Sequence, residues 1–129
     1  EEKNLPFDQA PAGMPGVETS LPLMLNHSQT SDIDIKDIVK WMCENPAKLY
    51  NIKNKGFLKE SYDADITIVD MNKEKVVDGK NMQSKCGWSA FDGKTLKGWP
   101  VTTIVNGNVV FDNEQINDEI KGKKVLFDE

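Results

Sequence analysis

Arginine is missing from this 129-residue chain, and all 16 of its basic residues are lysine. The planar two-pronged fork that grips a carboxylate or phosphate is therefore unavailable, and any such grip on an anionic substrate has to come from elsewhere. His27 is the only histidine. The two cysteines, Cys43 and Cys86, are isolated and lack metal-ligand spacing. A zinc site needs several nitrogen, oxygen or sulfur ligands converging at about 2 Å, so no metal ligands are assigned to this chain. Two scattered thiols in a chain rich in lysine and glutamate fit a reducing cytoplasm better than a disulfide scaffold. There is no run of 18 apolar residues, which argues against a transmembrane helix, and no charged segment followed by an apolar one that would read as a signal peptide. The net charge of -5 argues against nucleic acid, which demands a basic face. Without a basic groove, Trp41, Trp88 and Trp99 read as packing residues, not stacking platforms for bases.

What is present is one modest domain's worth of apolar residues, 38% of the chain. Pro6, Pro11, Pro15, Gly13 and Gly16 make residues 1–16 a loop. A Pro/Gly loop running into an apolar helix suits close approach of backbone to a ligand, because glycine carries no Cβ to obstruct it. Val17, Leu21, Met24 and Leu25 fall on one helical face and predict a helix over 18–26, with Pro22 tolerated in its first turn. Ile35, Ile38, Val39, Met42 and Cys43 make an apolar stripe over a second helix at 35–44, capped by Asp34 or Ser31. Asn45-Pro46 reads as a cap followed by proline at the first position of a third helix, which stops at Asn54-Lys55-Gly56.

Beyond Gly56 the period changes from helical to alternating. Residues 64–70 and 75–77 read as short strands, and 101–105 and 109–111 flank Asn106-Gly107, a hairpin signal. Residues 79–100, broken by Gly87, Gly93, Gly98 and Pro100, read as irregular, and 113–129 as a highly charged, partly ordered tail. Helices followed by strands suggest an α+β chain built from pieces of two structural units.

Single residues invite chemical roles but favour plain ones. Glu18 at a helix start serves the exposed N–H groups and the dipole. His27 alone is a surface or capping residue. Asp63 and Asp65 precede a strand, and no EF-hand-type loop follows them. Nothing near Cys86 in sequence lowers its pKa, and Lys121, Lys123 and Lys124 sit among acids as a solvated tail.

Four segments resemble the dihydroorotase family, cyclic amidohydrolases related to allantoinases and hydantoinases. They are Glu1-Glu2-Lys3 with residues 10–25; Asn45-Pro46-Ala47-Lys48-Leu49-Tyr50 with Lys55-Gly56; Tyr62-Asp63-Ala64-Asp65-Ile66-Thr67-Ile68-Val69-Asp70; and Ser84-Lys85-Cys86 with Phe91-Asp92-Gly93, Leu96-Lys97-Gly98 and the 103–111 hairpin. The resemblance implies a (β/α)8 barrel holding two zinc ions, with a small β-sandwich built from both chain ends. On it, residues 1–55 correspond to the last barrel loop and C-terminal helices, 56–112 to the C-terminal part of the sandwich, and 113–129 to a charged tail. The chain, which opens without Met, is expected to be the tail of a larger enzyme, inactive alone and binding no zinc itself, with metal ligands and catalytic aspartate upstream. The expected activity is interconversion of N-carbamoyl-aspartate and dihydroorotate in pyrimidine synthesis. Allantoinase or dihydropyrimidinase chemistry, or a non-catalytic scaffold subunit, are the alternatives. Expected partners are the small-molecule substrate, the N-terminal barrel portion, and a homodimer mate or aspartate transcarbamoylase, in the cytoplasm. The resemblance implies that the backbone at Ala12 and Gly13 contacts the substrate ring. One departure is Ser61, which stands where relatives often have glycine.

Overall fold

A computed structural model describes residues 5–128. The Glu1-Glu2-Lys3 stretch that carries part of the resemblance, and Glu129 at the end of the tail, lie outside the described residues.

Helix α1, Val17–Ser28, begins one residue before the expected start and ends two beyond the expected end. Its first turn hangs on a single acceptor. The Gly16 carbonyl receives the amides of Thr19 and Ser20, at 3.2 and 2.9 Å, and both of their hydroxyls, at 3.3 and 2.6 Å. Pro22 lies inside the helix and is buried, a turn deeper than expected. It has no N–H to give the Glu18 carbonyl, and burial of its ring compensates.

The two further helices expected at 35–44 and from Asn45 are one continuous rod. Helix α2, Ile35–Val39, passes through a π-turn, Lys40–Glu44, into α3, Asn45–Leu49. Asp34 is the cap, its side chain accepting from Lys36 N–H at 2.8 Å. Asn45 caps nothing, because its backbone is itself helical and its N–H donates to the Lys40 carbonyl, five residues back. Pro46 supplies the physical reason. A proline inside a helix removes one bond and collides with the carbonyl four residues earlier, and widening the preceding turn to π register relieves both.

The strands form one antiparallel meander in the order β1-β2-β3-β4. They are β1 Ile66–Val76, β2 Thr95–Val105, β3 Asn108–Asp112 and β4 Gln115–Ile116. The segments expected as two strands, 64–70 and 75–77, are largely one, interrupted by a register shift between Asp70 and Glu74. There the Asp70 side chain takes the Asn72 N–H at 2.8 Å. β2 starts well inside the stretch expected to be irregular. Pro100 pairs with Val69 beside a second register shift, where a residue without a donor is tolerated. Asn106 and Gly107, at φ 48° and 81°, make the β2–β3 turn, as expected.

Helix α1 lies on β2. Asn26 Oδ1 accepts the Lys97 N–H and Gln29 Nε2 donates to the Lys97 carbonyl, both at 2.9 Å. Leu25, Ile38, Ala47, Val77 and Leu96 form the buried apolar core. Of the apolar stripe on the α2–α3 rod only Ile38 is buried, while Ile35, Val39 and Met42 remain exposed. The charged tail is tied back: Lys53 N–H reaches the Leu126 carbonyl and Asp128 N–H the Asn51 carbonyl, both at 2.9 Å.

Candidate functional site

The loop preceding α1 has a fixed root and an open tip. The root is Gly16, whose carbonyl carries the four donors described above. At the tip, Ala12 and Gly13 are both exposed. Gly13 sits at φ +94° and a Cβ there would meet nothing within 4 Å. The backbone is thus presented outward in a conformation that glycine adopts at little cost.

At the root of the loop lies a cleft of about 370 Å³, lined by Pro15, Gly16, Val17, Glu18, Thr19 and the 82–84 segment. Ala12 and Gly13 do not line it. A larger open depression of about 570 Å³ lies against β3 and β4, lined by none of the loop's residues.

The far wall of the cleft belongs to the connection between β1 and β2. Its backbone is drawn together by Asp92, whose carboxylate accepts the N–H groups of Gly79 at 2.6 Å and Ser89 at 3.1 Å. Gly79 is packed so closely that a Cβ would lie 2.5 Å from the Ser89 nitrogen. The tip of the connection is taken by Glu18, whose two carboxylate oxygens accept Gln83 N–H at 3.0 Å and Ser84 N–H at 2.9 Å. Glu18 does sit in the first turn of α1, where its charge suits the dipole, but it bonds this distant loop and not the helix's own amides. The sequence gives no local signal for that pairing, since the partners are 65 and 66 residues away.

The other residues weighed for chemistry are structural or exposed. Lys55 bridges Asp63, at 3.0 Å, and Asp65, while Asp65 also accepts the Asn106 N–H at 2.7 Å. The bond to Asp65 raises the Lys55 pKa against the opposing effect of burial, and Asp63 adds to the rise. Burial pushes the Asp65 carboxyl up, but the Asn106 N–H and the Lys55 ammonium together outweigh it and hold the group below its usual range. The pair fastens the chain leaving α3 to the β2–β3 turn. His27 is exposed. Trp99 donates its ring N–H to the Leu96 carbonyl at 2.9 Å, with the Lys75 ammonium 5.3 Å from its ring centre. Both cysteines are exposed, and among the described residues no three His, Cys, Asp or Glu side chains converge to hold a metal ion.

Residues 11–110 match the model of the amidohydrolase family. The chain belongs to that family. Curated amidohydrolase relatives include the dihydroorotase of Pyrococcus furiosus, 40% identical over 115 residues that make up 89% of this chain and 28% of the relative. The dihydroorotase of Acetivibrio thermocellus is 47% identical over 111 residues, 85% of this chain and 26% of the relative. Among solved structures, the L-hydantoinase (dihydropyrimidinase) of Arthrobacter aurescens superposes with a TM-score of 0.84 at 36% identity, covering 91% of this chain and 27% of that one. The chain thus spans about a quarter of the length of these amidohydrolases. Within it, the α+β character expected from the residues is observed, with an antiparallel sheet.

Proposed function

We propose that the chain is the C-terminal portion of a dihydroorotase, an enzyme that closes N-carbamoyl-aspartate into dihydroorotate and opens it again. The observation that carries this reading is the run of dihydroorotases among the curated relatives, among them those 40% and 47% identical over 89% and 85% of this chain. In this reading residues 1–55 supply the last loop of a (β/α)8 barrel and its C-terminal helices, 56–112 supply sandwich strands, and 113–129 form a tail that straps the two.

Ala12 and Gly13 are the substrate-facing residues in this proposal. A ring of the imide type presents both donors and acceptors, and exposed backbone N–H and C=O groups can answer both without a charged side chain. Gly13's positive φ and open surroundings leave room for such a ring to come close. The absence of arginine means that a bidentate guanidinium grip on the substrate's carboxylate would have to come from residues outside this chain. Among the described residues no three His, Cys, Asp or Glu side chains converge on one point, so in this proposal the ligands for the two zinc ions of the family resemblance also fall to the remainder of the enzyme. When bound, zinc would supply an activated hydroxide; what this chain contributes is position. Phe7, wholly exposed, and Val17, at 94%, flank the loop and suit burial against the rest of a barrel.

A hydantoinase or dihydropyrimidinase is the second reading, favoured by the 36% identity and 0.84 TM-score of the Arthrobacter structure. Assays of the full-length enzyme with dihydroorotate, hydantoin, dihydrouracil and allantoin separate the two. Turnover of dihydroorotate at a kcat/KM at least a hundredfold above the others supports the first proposal; a preference for hydantoin or dihydrouracil replaces it with the second.

A further inference from the structure

Glu18 joins the start of α1 to the β1–β2 connection, two parts of the chain 65 and 66 residues apart. It stands two residues after Gly16, the root of the open loop, and its carboxylate holds two backbone amides of the β1–β2 connection. Backbone amides pointing at one ionised carboxylate make charge-assisted hydrogen bonds, stronger than neutral ones. The connection is itself a stiff body, because the Asp92 carboxylate and the tight Gly79 packing close it on itself. Its ends are locked as well: Gly93 N–H donates to the Val77 carbonyl at 3.0 Å and Val77 N–H to the Lys94 carbonyl at 2.9 Å. Loops that carry function gain from being mounted on rigid scaffolding, since disorder in a binding loop must be removed each time substrate binds.

The geometry points to Glu18 as a positioning residue that fixes the Ala12–Gly13 backbone for substrate by clamping the loop's root to the Gln83–Ser84 amides. This inference rests on the substrate-facing role proposed above for Ala12 and Gly13. Glu18 touches no reacting atom and moves no proton. It makes the stiff β1–β2 connection a buttress for the loop, so the sheet end of the chain contributes to binding from a distance.

The test is made on the full-length enzyme with Glu18→Ala and Glu18→Gln. Alanine removes both acceptors; glutamine keeps the length of the side chain and one carbonyl oxygen. The expected result for Glu18→Ala is a rise in KM for dihydroorotate of about tenfold with kcat within twofold of wild type, the signature of lost substrate positioning. Glu18→Gln should recover part of it, with a rise of about threefold. Hydrogen exchange supplies a second readout that needs no turnover: peptides covering 10–16 and 82–84 should both exchange faster in Glu18→Ala. Unchanged KM with only a lower melting temperature, a fall in kcat alone, or faster exchange at 82–84 without any at 10–16 each overturns the inference. Should Glu18→Ala fail to fold, the glutamine variant decides by the same readouts. Wild-type enzyme that ignores dihydroorotate counts against the function proposed above, while the exchange comparison still judges the clamp.

Discussion

A Cβ placed on Gly98 would lie 2.8 Å from the Cβ of Leu25. Helix α1 therefore rests directly on the backbone of β2, at a residue whose φ of +98° an L side chain rarely adopts. Leu25 is 1% exposed and cannot swing aside. Gly98→Ala combines backbone strain with a clash and should destabilise by about 3 kcal/mol. Gly107→Ala is the control. It also has positive φ, +81°, but its Cβ would meet nothing within 4 Å, so about 1 kcal/mol of strain alone is expected. Denaturation midpoints of the two variants, measured side by side, check the difference; equal losses would show that α1 does not press on β2.

Asp65→Asn removes the partner of Lys55 and should cost on the order of 1 kcal/mol at neutral pH. The pH dependence has a definite sign. The folded Asp65 carboxyl titrates below its ordinary value, so its contribution is full above the unfolded pKa and fades as pH falls through the folded one. The folded Lys55 ammonium titrates above its ordinary value, so its contribution is full below that value and fades as pH rises past it. The stability gap between wild type and variant should thus be widest near neutrality and close on the acid side, as equilibrium unfolding at a series of pH values will show.

Ser61 adopts φ 68° at the turn that leads into β1. A non-glycine residue in that region carries strain that glycine does not. Ser61→Gly should therefore be neutral to stabilising, by up to about 1 kcal/mol, even though glycine usually costs chain entropy. A lowered melting temperature for this variant would show that the turn is not under strain.

Gly13→Ala places a methyl group at an exposed tip where φ is +94° and nothing packs. Global stability should fall by no more than the roughly 1 kcal/mol of backbone strain expected at Gly107. Substrate binding should suffer instead, with kcat/KM for dihydroorotate down about tenfold. Thermal melts and steady-state kinetics on the same preparation separate these effects. Full activity in the variant removes Gly13 from the site.

Local signals were legible where one short stretch decides the outcome. The Asn106-Gly107 turn, the strand at Ile66 and helix α1 all follow from neighbours in sequence, although of the apolar face read for α1 only Leu25 is buried and Val17 is exposed. Pro46 misled because a proline after asparagine looks like a helix start, whereas here the preceding turn widens to π register and the helix runs on. Gly98 and Pro100 looked like breakers of structure. In the fold they occupy a close approach to α1 and a register shift opposite Val69, both of which depend on tertiary packing. The exposed loop at Ala12 and Gly13 was legible in its prolines and glycines, and its substrate-facing role is a proposal drawn from the family resemblance. The clamp at its root was not legible, because Glu18 finds its partners across a span that no local pattern encodes.

The most direct test of the account is a specificity profile of the purified full-length enzyme, with its metal content established, against dihydroorotate and hydantoin. The account predicts ring opening of dihydroorotate in preference to hydantoin, and a loss of that activity in Gly13→Ala without loss of fold. Preferred opening of hydantoin, or a Gly13→Ala enzyme with undiminished turnover of dihydroorotate, would contradict it.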